Sequence, residues 1–370
     1  MPITADICVL GGGSGGLSVA AGAAQLGRKV VLIEKGEMGG DCLNYGCVPS
    51  KALIAAAARA QAMREAAPFG IARVEPHVDF GAVMDHVRSV IEKIAPHDSQ
   101  ERFETLGVTV LRAHGAFTGP RTVKAGDVDV AAKHFVIATG SSPVLPPIPG
   151  LSDVPAFTNE TIFGNRDKPE KLIVIGGGPI GIELAQAHQR LGAAATVIEA
   201  DTILNRDDPE AVDVVRARLI REGVTVKERS KVARAERRGR GVALRLDSGE
   251  EIQGSHILVA VGRRANLEGL GLDLAGIKRD NGRLALDARL RTTNRRVYAI
   301  GDAAGGYFTH TANYHAGIVL RNALFRLPAK ANDETVPWVT FTDPELARPR
   351  IITAQVRRLG NYDVVPAAAA

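Results

Sequence analysis

The sequence predicts an α/β protein in which one βαβ unit occurs twice. "DICVL" predicts a buried strand, "GGGSGG" a turn, "LSVAAGAAQLG" a helix and "KVVLIE" a second strand. The same order returns as "KLIVI", "GGGPIG", "IELAQAHQRLG" and "ATVIE". The chain has 370 residues, of which 45% are hydrophobic, enough for two or three domains with sizeable cores.

Composition and charge exclude several classes of protein. The net charge is only +5 and the basic clusters are short and scattered, so we expect no nucleic-acid-binding face. The chain begins without a secretory signal and has no apolar run long enough for a bilayer, so we expect a soluble, cytoplasmic protein that does not bind membranes. Its three cysteines cannot form the disulfide framework of a small secreted domain.

Each βαβ unit carries the pattern G-x-G-x-x-G between its first strand and its helix. The glycines are Gly11, Gly13 and Gly16 in the first unit, and Gly176, Gly178 and Gly181 in the second. They permit a tight turn, a close approach of a pyrophosphate and close helix–strand packing, in that order. Glu34 and Glu199 end the second strands at matching positions and can accept hydrogen bonds from ribose hydroxyls. Two such sites predict a flavin and a nicotinamide that reduces it.

Between and after these units the chain predicts smaller elements. The segment after the first unit is mostly helical, and "VTVLRAHGAF", "RTVKAG" and "KHFVIATG" then alternate like a small β-meander. The Pro-rich "SSPVLPPIPG" predicts a domain boundary. Further strands follow the second unit, and "RVYAIGD" predicts another strand-to-helix turn.

Two cysteines, Cys42 and Cys47, stand five positions apart in "GGDCLNYGCVPSKALI". In a straight helix this spacing is about 7.5 Å along the axis, so a disulfide needs a tighter turn, which Gly46 can provide. We expect Cys47 at a helix N-terminus, where a thiolate is favoured. A metal site, two inert thiols and a redox pair are all open, and the neighbouring nucleotide sites favour the redox pair. Cys8 is predicted to be a core residue.

"GGDCLNYGCVPSKALI" resembles the active-site segment of the flavin-dependent pyridine nucleotide–disulfide oxidoreductases, which include dihydrolipoyl dehydrogenase, glutathione reductase and mercuric reductase. "VIATGSSP", "VAVGRRAN" (with Ala265 where proline is usual) and "VYAIGDAAG" resemble further segments of this family. "FTHTANYHAGIVLRNALF" and "VPWVTFTDPELA" also fit this family, and resemble the mercuric-reductase-like branch more than glutathione reductase. The resemblance implies a glutathione reductase-like fold with two Rossmann-like dinucleotide-binding domains and a remnant of an α+β interface domain.

The resemblance also implies cofactors and site residues. FAD would be held by Gly11, Gly13, Gly16, Glu34 and Asp302, and the nicotinamide cofactor by Gly176, Gly178, Gly181 and Glu199; Thr139, Gly140 and Gly262 lie in further cofactor-binding segments. Cys47 would be the thiolate beside the flavin and Cys42 the thiol that attacks the substrate. Lys51 would lie near the flavin, paired with Glu183. No metal site is implied. The Glu199 carboxylate predicts NADH rather than NADPH, although Arg206 lies nearby in the sequence.

The family pattern divides the chain into an FAD-binding domain with the redox disulfide (1–148), an NAD(P)-binding domain (149–264), a continuation of the FAD-binding domain (265–334) and the start of a dimerisation domain (335–370). Hydride would pass from NAD(P)H through FAD to the Cys42–Cys47 disulfide, and then to a disulfide, dithiol, metal-ion or quinone-type acceptor.

One departure from the family pattern limits this prediction. In the family, a histidine paired with a glutamate acts from the C-terminal interface domain of the second subunit of a homodimer. On the order of 100 residues of that domain are expected to be missing here. The alternative is therefore a truncated paralogue or partial gene product that binds FAD and NAD(H) without full turnover. His310 and His315 are predicted to pack or form hydrogen bonds rather than to replace that histidine.

Overall fold

A computed structural model describes residues 2–306 and 308–348 of the chain. They form two compact units. The first unit contains the described residues of Met1–Cys47, Ile91–Ser142 and Arg264–Val336; the second contains Val48–Val90, Pro143–Arg263 and the described residues from Pro337 onward.

The helices and strands, in chain order, have the following bounds. The helices are α1 (Ser14–Gln25), α2 (Gly40–Asn44), α3 (Cys47–Arg64), α4 (Phe80–Ile94), α5 (Gln100–Thr105), α6 (Asn159–Ile162), α7 (Pro179–Arg190), α8 (Pro209–Arg221) and α9 (Phe308–Leu324). The strands are β1 (Ile3–Leu10), β2 (Val30–Ile33), β3 (Val108–Leu111), β4 (Gly115–Gly119), β5 (Thr122–Ala125), β6 (Val128–Ile137), β7 (Ser141–Pro143), β8 (Ala156–Phe157), β9 (Lys171–Ile175), β10 (Ala194–Ile198), β11 (Thr225–Lys227), β12 (Val232–Arg238), β13 (Gly241–Leu246), β14 (Glu251–Gly254), β15 (His256–Val259), β16 (Arg263–Ala265), β17 (Arg279–Asp280), β18 (Arg283–Leu284), β19 (Val297–Ala299), β20 (Trp338–Thr340) and β21 (Leu346–Arg348).

The first unit is built on a sheet with the order β3-β2-β1-β6-β5-β4, and β19 also pairs with β6. The strands β3, β2, β1, β6 and β19 are parallel, and β4, β5 and β6 form an antiparallel meander. The segment "VTVLRAHGAF", predicted as one strand of the meander, is two strands: β3 joins the parallel sheet and only β4 joins the meander. Side chains of β1 alternate between two hydrophobic clusters: Ile7 and Val9 enter one, and Cys8 and Leu10 enter the other. Both faces of this central strand are therefore buried, as is typical of a parallel sheet covered on two sides.

The second unit repeats the parallel arrangement in a smaller sheet with the order β11-β10-β9-β15-β8. A separate antiparallel sheet, β12-β13-β14, packs its apolar face into the same core, which includes Ile173, Leu244 and Ile257. The repeated order of strand, glycine turn, helix and strand confirms the prediction of one βαβ unit used twice. Both units have the Rossmann-like topology that the sequence predicted.

The first and third glycines of each pattern have a steric role. Gly11 has φ +113° and Gly176 has φ +111°, a backbone conformation that residues with a side chain rarely adopt. A Cβ atom at Gly16 would overlap the carbonyl oxygen of Gly11, and a Cβ atom at Gly181 would overlap that of Gly176. The first turn of each helix can thus lie directly on the turn that precedes it.

The substitution Gly181→Ala should lower the free energy of unfolding by about 3 kcal/mol or more, or prevent folding, because the backbone must shift to relieve the overlap. Gly178→Ala is the matched control, since Gly178 has φ −75° and a Cβ atom there would meet no atom within 4 Å. We expect the control to change stability by less than about 1 kcal/mol. Urea unfolding of both variants checks this, and equal destabilisation would contradict it.

Candidate redox and dinucleotide site

The two close cysteines lie in consecutive helices, and both belong to the first unit. Cys42 is in α2, and Cys47 is the first residue of α3, which confirms its predicted position at a helix N-terminus. A Cβ atom at Gly46 would lie 2.8 Å from Oδ2 and 3.0 Å from the carbonyl oxygen of Asp41. The tight connection between the two helices therefore needs a residue without a side chain.

Hydrogen bonding within the pair controls its charge. The hydrogen bond with Cys47 is the main cause that lowers the pKa of Cys42 to about 6; Thr309 and Ser14 contribute in the same direction, whereas burial and the charge of Asp41 oppose it. The reduced pair therefore loses a proton below neutral pH, and the remaining thiol can donate to the thiolate.

Cys8 behaves in the opposite way. It is fully buried in β1, and burial raises the pKa of its thiol well above the ordinary value. It stays a neutral core residue, as the sequence predicted.

Two hydroxyl groups beside the cysteine pair were not predicted. The Oγ1 atom of Thr309, in α9, lies 3.3 Å from Sγ of Cys47 and 3.5 Å from Oγ of Ser14, the first residue of α1. Both hydroxyls can donate to a thiolate. No sequence pattern indicates Thr309, because 262 positions separate it from Cys47.

Beside the first glycine turn, Glu34 is held by backbone N–H groups. Its Oε2 accepts from Gly12 at 2.5 Å and its Oε1 from Gly36 at 2.6 Å. The carboxylate thus lies beside the glycine turn, at the end of β2. A Cβ atom at Gly13 would come no closer than 3.7 Å to another atom, so the fold itself does not require a glycine there.

The second glycine turn repeats this geometry. Oε2 of Glu199 accepts from the Gly177 N–H at 2.6 Å, and Oε1 accepts from the Asp201 N–H at 2.9 Å. The space at Gly178 is open. A glycine that neither conformation nor packing requires fits a position where a phosphate group approaches the backbone.

The predicted residues Thr139, Gly140 and Asp302 lie in the first unit. Oγ1 of Thr139 donates to the Asn266 carbonyl at 2.7 Å, and the Asn266 N–H donates to the Gly140 carbonyl at 3.0 Å. The next residue, Ser141, donates a hydrogen bond from its hydroxyl to the Asp302 carboxylate. The structure therefore links the "ATG" segment to Asp302.

Gly262 lies in the second unit. It has φ +142°, and its carbonyl accepts from the Val144 N–H at 3.0 Å.

Lys51 and Glu183 form an ion pair within the second unit, with 2.9 Å between Nζ and Oε2. Glu183 is on α7 and buried, so it is not an exposed helix carboxylate. Its other oxygen, Oε1, accepts from the Phe341 N–H at 2.9 Å. Lys51 follows Cys47 by about one turn of α3.

The two histidines of α9 differ in their surroundings. His315 is fully buried; the Gly301 N–H donates to its Nδ1 at 3.2 Å, so Nε2 carries the proton and donates to Asp333 Oδ1 at 2.7 Å. The prediction that His315 forms hydrogen bonds is confirmed. His310 is exposed and contacts the Phe308 ring.

Residues 2–306 and 308–348 contain no group of three or more His, Cys, Asp or Glu side chains that could hold a metal ion. In the same part of the chain, every helix is too short or too polar to cross a bilayer.

A family model described as pyridine nucleotide-disulphide oxidoreductase matches residues 5–317. The chain belongs to this family. A mercuric reductase of Streptomyces lividans is 34% identical over 366 residues, which cover 96% of this chain and 77% of that protein. A dihydrolipoyl dehydrogenase of Geobacillus stearothermophilus is 35% identical over 376 residues, which cover 99% and 79%.

Solved structures give the same assignment. The Cu(II) complex of the HOCl-induced flavoprotein disulfide reductase RclA from Escherichia coli matches with a TM-score of 0.84 and 26% identity, over 95% of this chain and 79% of that one. Membership of the family makes this chain an FAD-dependent oxidoreductase that uses a pyridine nucleotide and acts in disulfide chemistry.

The lowered pKa predicts how the reduced cysteine pair reacts. Alkylation of Cys42 by iodoacetamide should rise with pH through a midpoint near 6, instead of the value of about 8.5 for a free thiol, because the thiolate is the nucleophile. Mass spectrometry of the reduced protein after short reaction times measures this, and buried Cys8 serves as the unmodified internal control.

The substitution Thr309→Val should raise that midpoint by about one pH unit or less, the effect of losing one hydrogen bond to a charged group. Ser18→Ala is a control, because the Ser18 hydroxyl donates to the Ser14 carbonyl and contacts neither cysteine. An identical midpoint in Thr309→Val and in the unsubstituted protein would show that Thr309 does not stabilise the thiolate.

Proposed function

We propose that this chain uses NADH to reduce its Cys42–Cys47 disulfide through FAD, and that the reduced pair then reduces a disulfide, metal-ion or quinone-type acceptor. With a dithiol substrate the same relay would run in reverse: the Cys42–Cys47 disulfide would oxidise the dithiol and pass two electrons through FAD to NAD⁺. The observation that carries this proposal is the cysteine pair itself: two half-buried thiols in hydrogen-bond contact, one with a pKa of about 6, at the start of a helix. FAD, when bound, would supply a carrier for two electrons between the nicotinamide and the disulfide.

The residues around the glycine turns support the two cofactor assignments. Gly11, Gly13, Gly16, Glu34, Thr139, Gly140 and Asp302 would hold FAD, and Gly176, Gly178, Gly181, Glu199 and Gly262 the nicotinamide cofactor. The open space at Gly178 and the similar hydrogen bonds of Glu34 and Glu199 favour these roles. In each unit the carboxylate is oriented by backbone N–H groups and needs no other side chain to position it.

Reduction of the pair breaks one S–S bond with two electrons and takes up one proton, which leaves one thiol and one thiolate. We assign Cys47 as the sulfur beside the flavin and Cys42 as the sulfur that attacks the acceptor. The lowered pKa belongs to the hydrogen-bonded pair, so its single thiolate can be at Cys47, in contact with the flavin, or at Cys42, as the nucleophile toward the acceptor. Thr309 and Ser14 would stabilise the charge between turnovers.

Members of this family are typically homodimers that act on disulfide or metal substrates. Lys51, paired with Glu183, would place a positive charge near the flavin.

The Glu199 carboxylate should give a preference for NADH. It would accept hydrogen bonds from ribose hydroxyls and repel a 2′-phosphate, whereas the nearby Arg206 would attract one. Steady-state kcat/KM should be at least about tenfold higher with NADH, equivalent to roughly 1.4 kcal/mol of differential binding. A preference for NADPH would overturn this assignment without affecting the proposal for the cysteines.

Anaerobic titration with NADH, followed by absorbance, tests the redox role directly. The FAD-loaded protein should take up two equivalents and develop long-wavelength absorbance from thiolate–flavin contact. Cys47→Ser should lose this absorbance and keep FAD, whereas Cys8→Ser, in the core of β1, should keep both. A protein that binds both nucleotides but takes up only one equivalent would instead support binding without disulfide turnover.

A further inference from the structure

Phe341 contacts both members of the Lys51–Glu183 ion pair. Its N–H donates to Oε1 of Glu183 at 2.9 Å, and its ring centroid lies 4.2 Å from Nζ of Lys51. The other carboxylate oxygen, Oε2, lies 2.9 Å from the same Nζ. The ammonium group is therefore held between a carboxylate and an aromatic face, and one residue supplies both the ring and the amide that fixes the carboxylate.

One face of α7 fixes the backbone on which Phe341 lies. The Asp343 N–H donates to Oε1 of Gln186 at 2.9 Å, and Nε2 of Gln186 donates back to the Asp343 carbonyl at 3.0 Å. Arg190 donates to Oδ2 of Asp343 at 2.7 Å. Glu183, Gln186 and Arg190 are three and four positions apart, so their side chains share one side of the helix.

This face of α7 is itself rigid. The side chains of Arg190 and Glu222 are both 3% exposed and form a bidentate ion pair, with 2.6 Å between Nη2 and Oε1 and 2.8 Å between Nε and Oε2. A buried pair of this kind keeps its geometry, because breaking it would leave a buried charge without a partner. The segment from Phe341 to Asp343 is thus attached at both ends to buried side chains of one helix.

We propose that Phe341 is a positioning residue for Lys51. The Lys51 side chain is 36% exposed, and an ion pair at that exposure fixes a flexible side chain only weakly. The ring of Phe341 attracts the ammonium group through its face and covers one side of it. The result is one preferred place for the positive charge. The link from this charge to the flavin rests on the proposed function, but the placement of Lys51 does not.

Competitive acetylation of the FAD-loaded protein by trace acetic anhydride tests the placement. Phe341→Leu keeps the backbone N–H and removes the aromatic face, so the acetylation rate of Lys51 should rise about two- to fivefold, the range that a partly exposed cation–π contact gives. Phe341→Tyr keeps the face and should react like the unsubstituted protein. Exposed Lys133, paired with Asp6, is the internal reference in every sample.

Equal Lys51 rates in Phe341→Leu, Phe341→Tyr and the unsubstituted protein would overturn the inference. A general loss of structure would raise the rates of many lysines together, whereas the inference requires a change at Lys51 relative to Lys133 and its rescue by tyrosine. Single-turnover reduction of the flavin by NADH separates the two proposals. If Lys51 acetylation rises in Phe341→Leu while flavin reduction is unchanged, Phe341 positions Lys51, and the role of Lys51 at the flavin is wrong.

Discussion

The close contact of α1 and α7 with the glycine turns that precede them is the constraint on which the rest of the molecule depends. At Gly16 and Gly181 the helix backbone lies where any side chain would strike the carbonyl oxygen of the first glycine. This contact fixes the start of α1 and α7 against the ends of β1 and β9. It also directs the first N–H groups of each helix toward the space beside the turn, where an anionic phosphate is favoured.

The helices fixed in this way carry further site residues. Ser14, at the start of α1, contacts the Thr309 hydroxyl, which lies beside Cys47. Glu183, on α7, forms an ion pair with Lys51. The same local geometry thus serves different chemistry in the two units. In the first unit it places a hydroxyl near a sulfur that is to carry negative charge. In the second it places a carboxylate against an ammonium group.

The sequence predicted the features that local patterns encode. Strand periodicity, glycine spacing and the acids Glu34 and Glu199 all lie within one βαβ unit, so their arrangement follows from short-range geometry. The pairing of Lys51 with Glu183 was available only from the family resemblance. The contacts of Thr309 with Cys47 and of Phe341 with Glu183 join positions 262 and 158 residues apart. Such contacts depend on how the chain returns to the site, which no local pattern specifies.

The two charged groups proposed to act in electron transfer are stabilised in different ways. The Cys42–Cys47 pair relies on neutral donors, a thiol and two hydroxyls, which stabilise a thiolate without bringing a permanent positive charge. A thiolate stabilised in this way remains nucleophilic, because weak donors lower its pKa only toward neutrality. The charge of Lys51 need not be reactive in this way, since it is to persist through the reaction. A full carboxylate and an aromatic face can therefore hold it permanently.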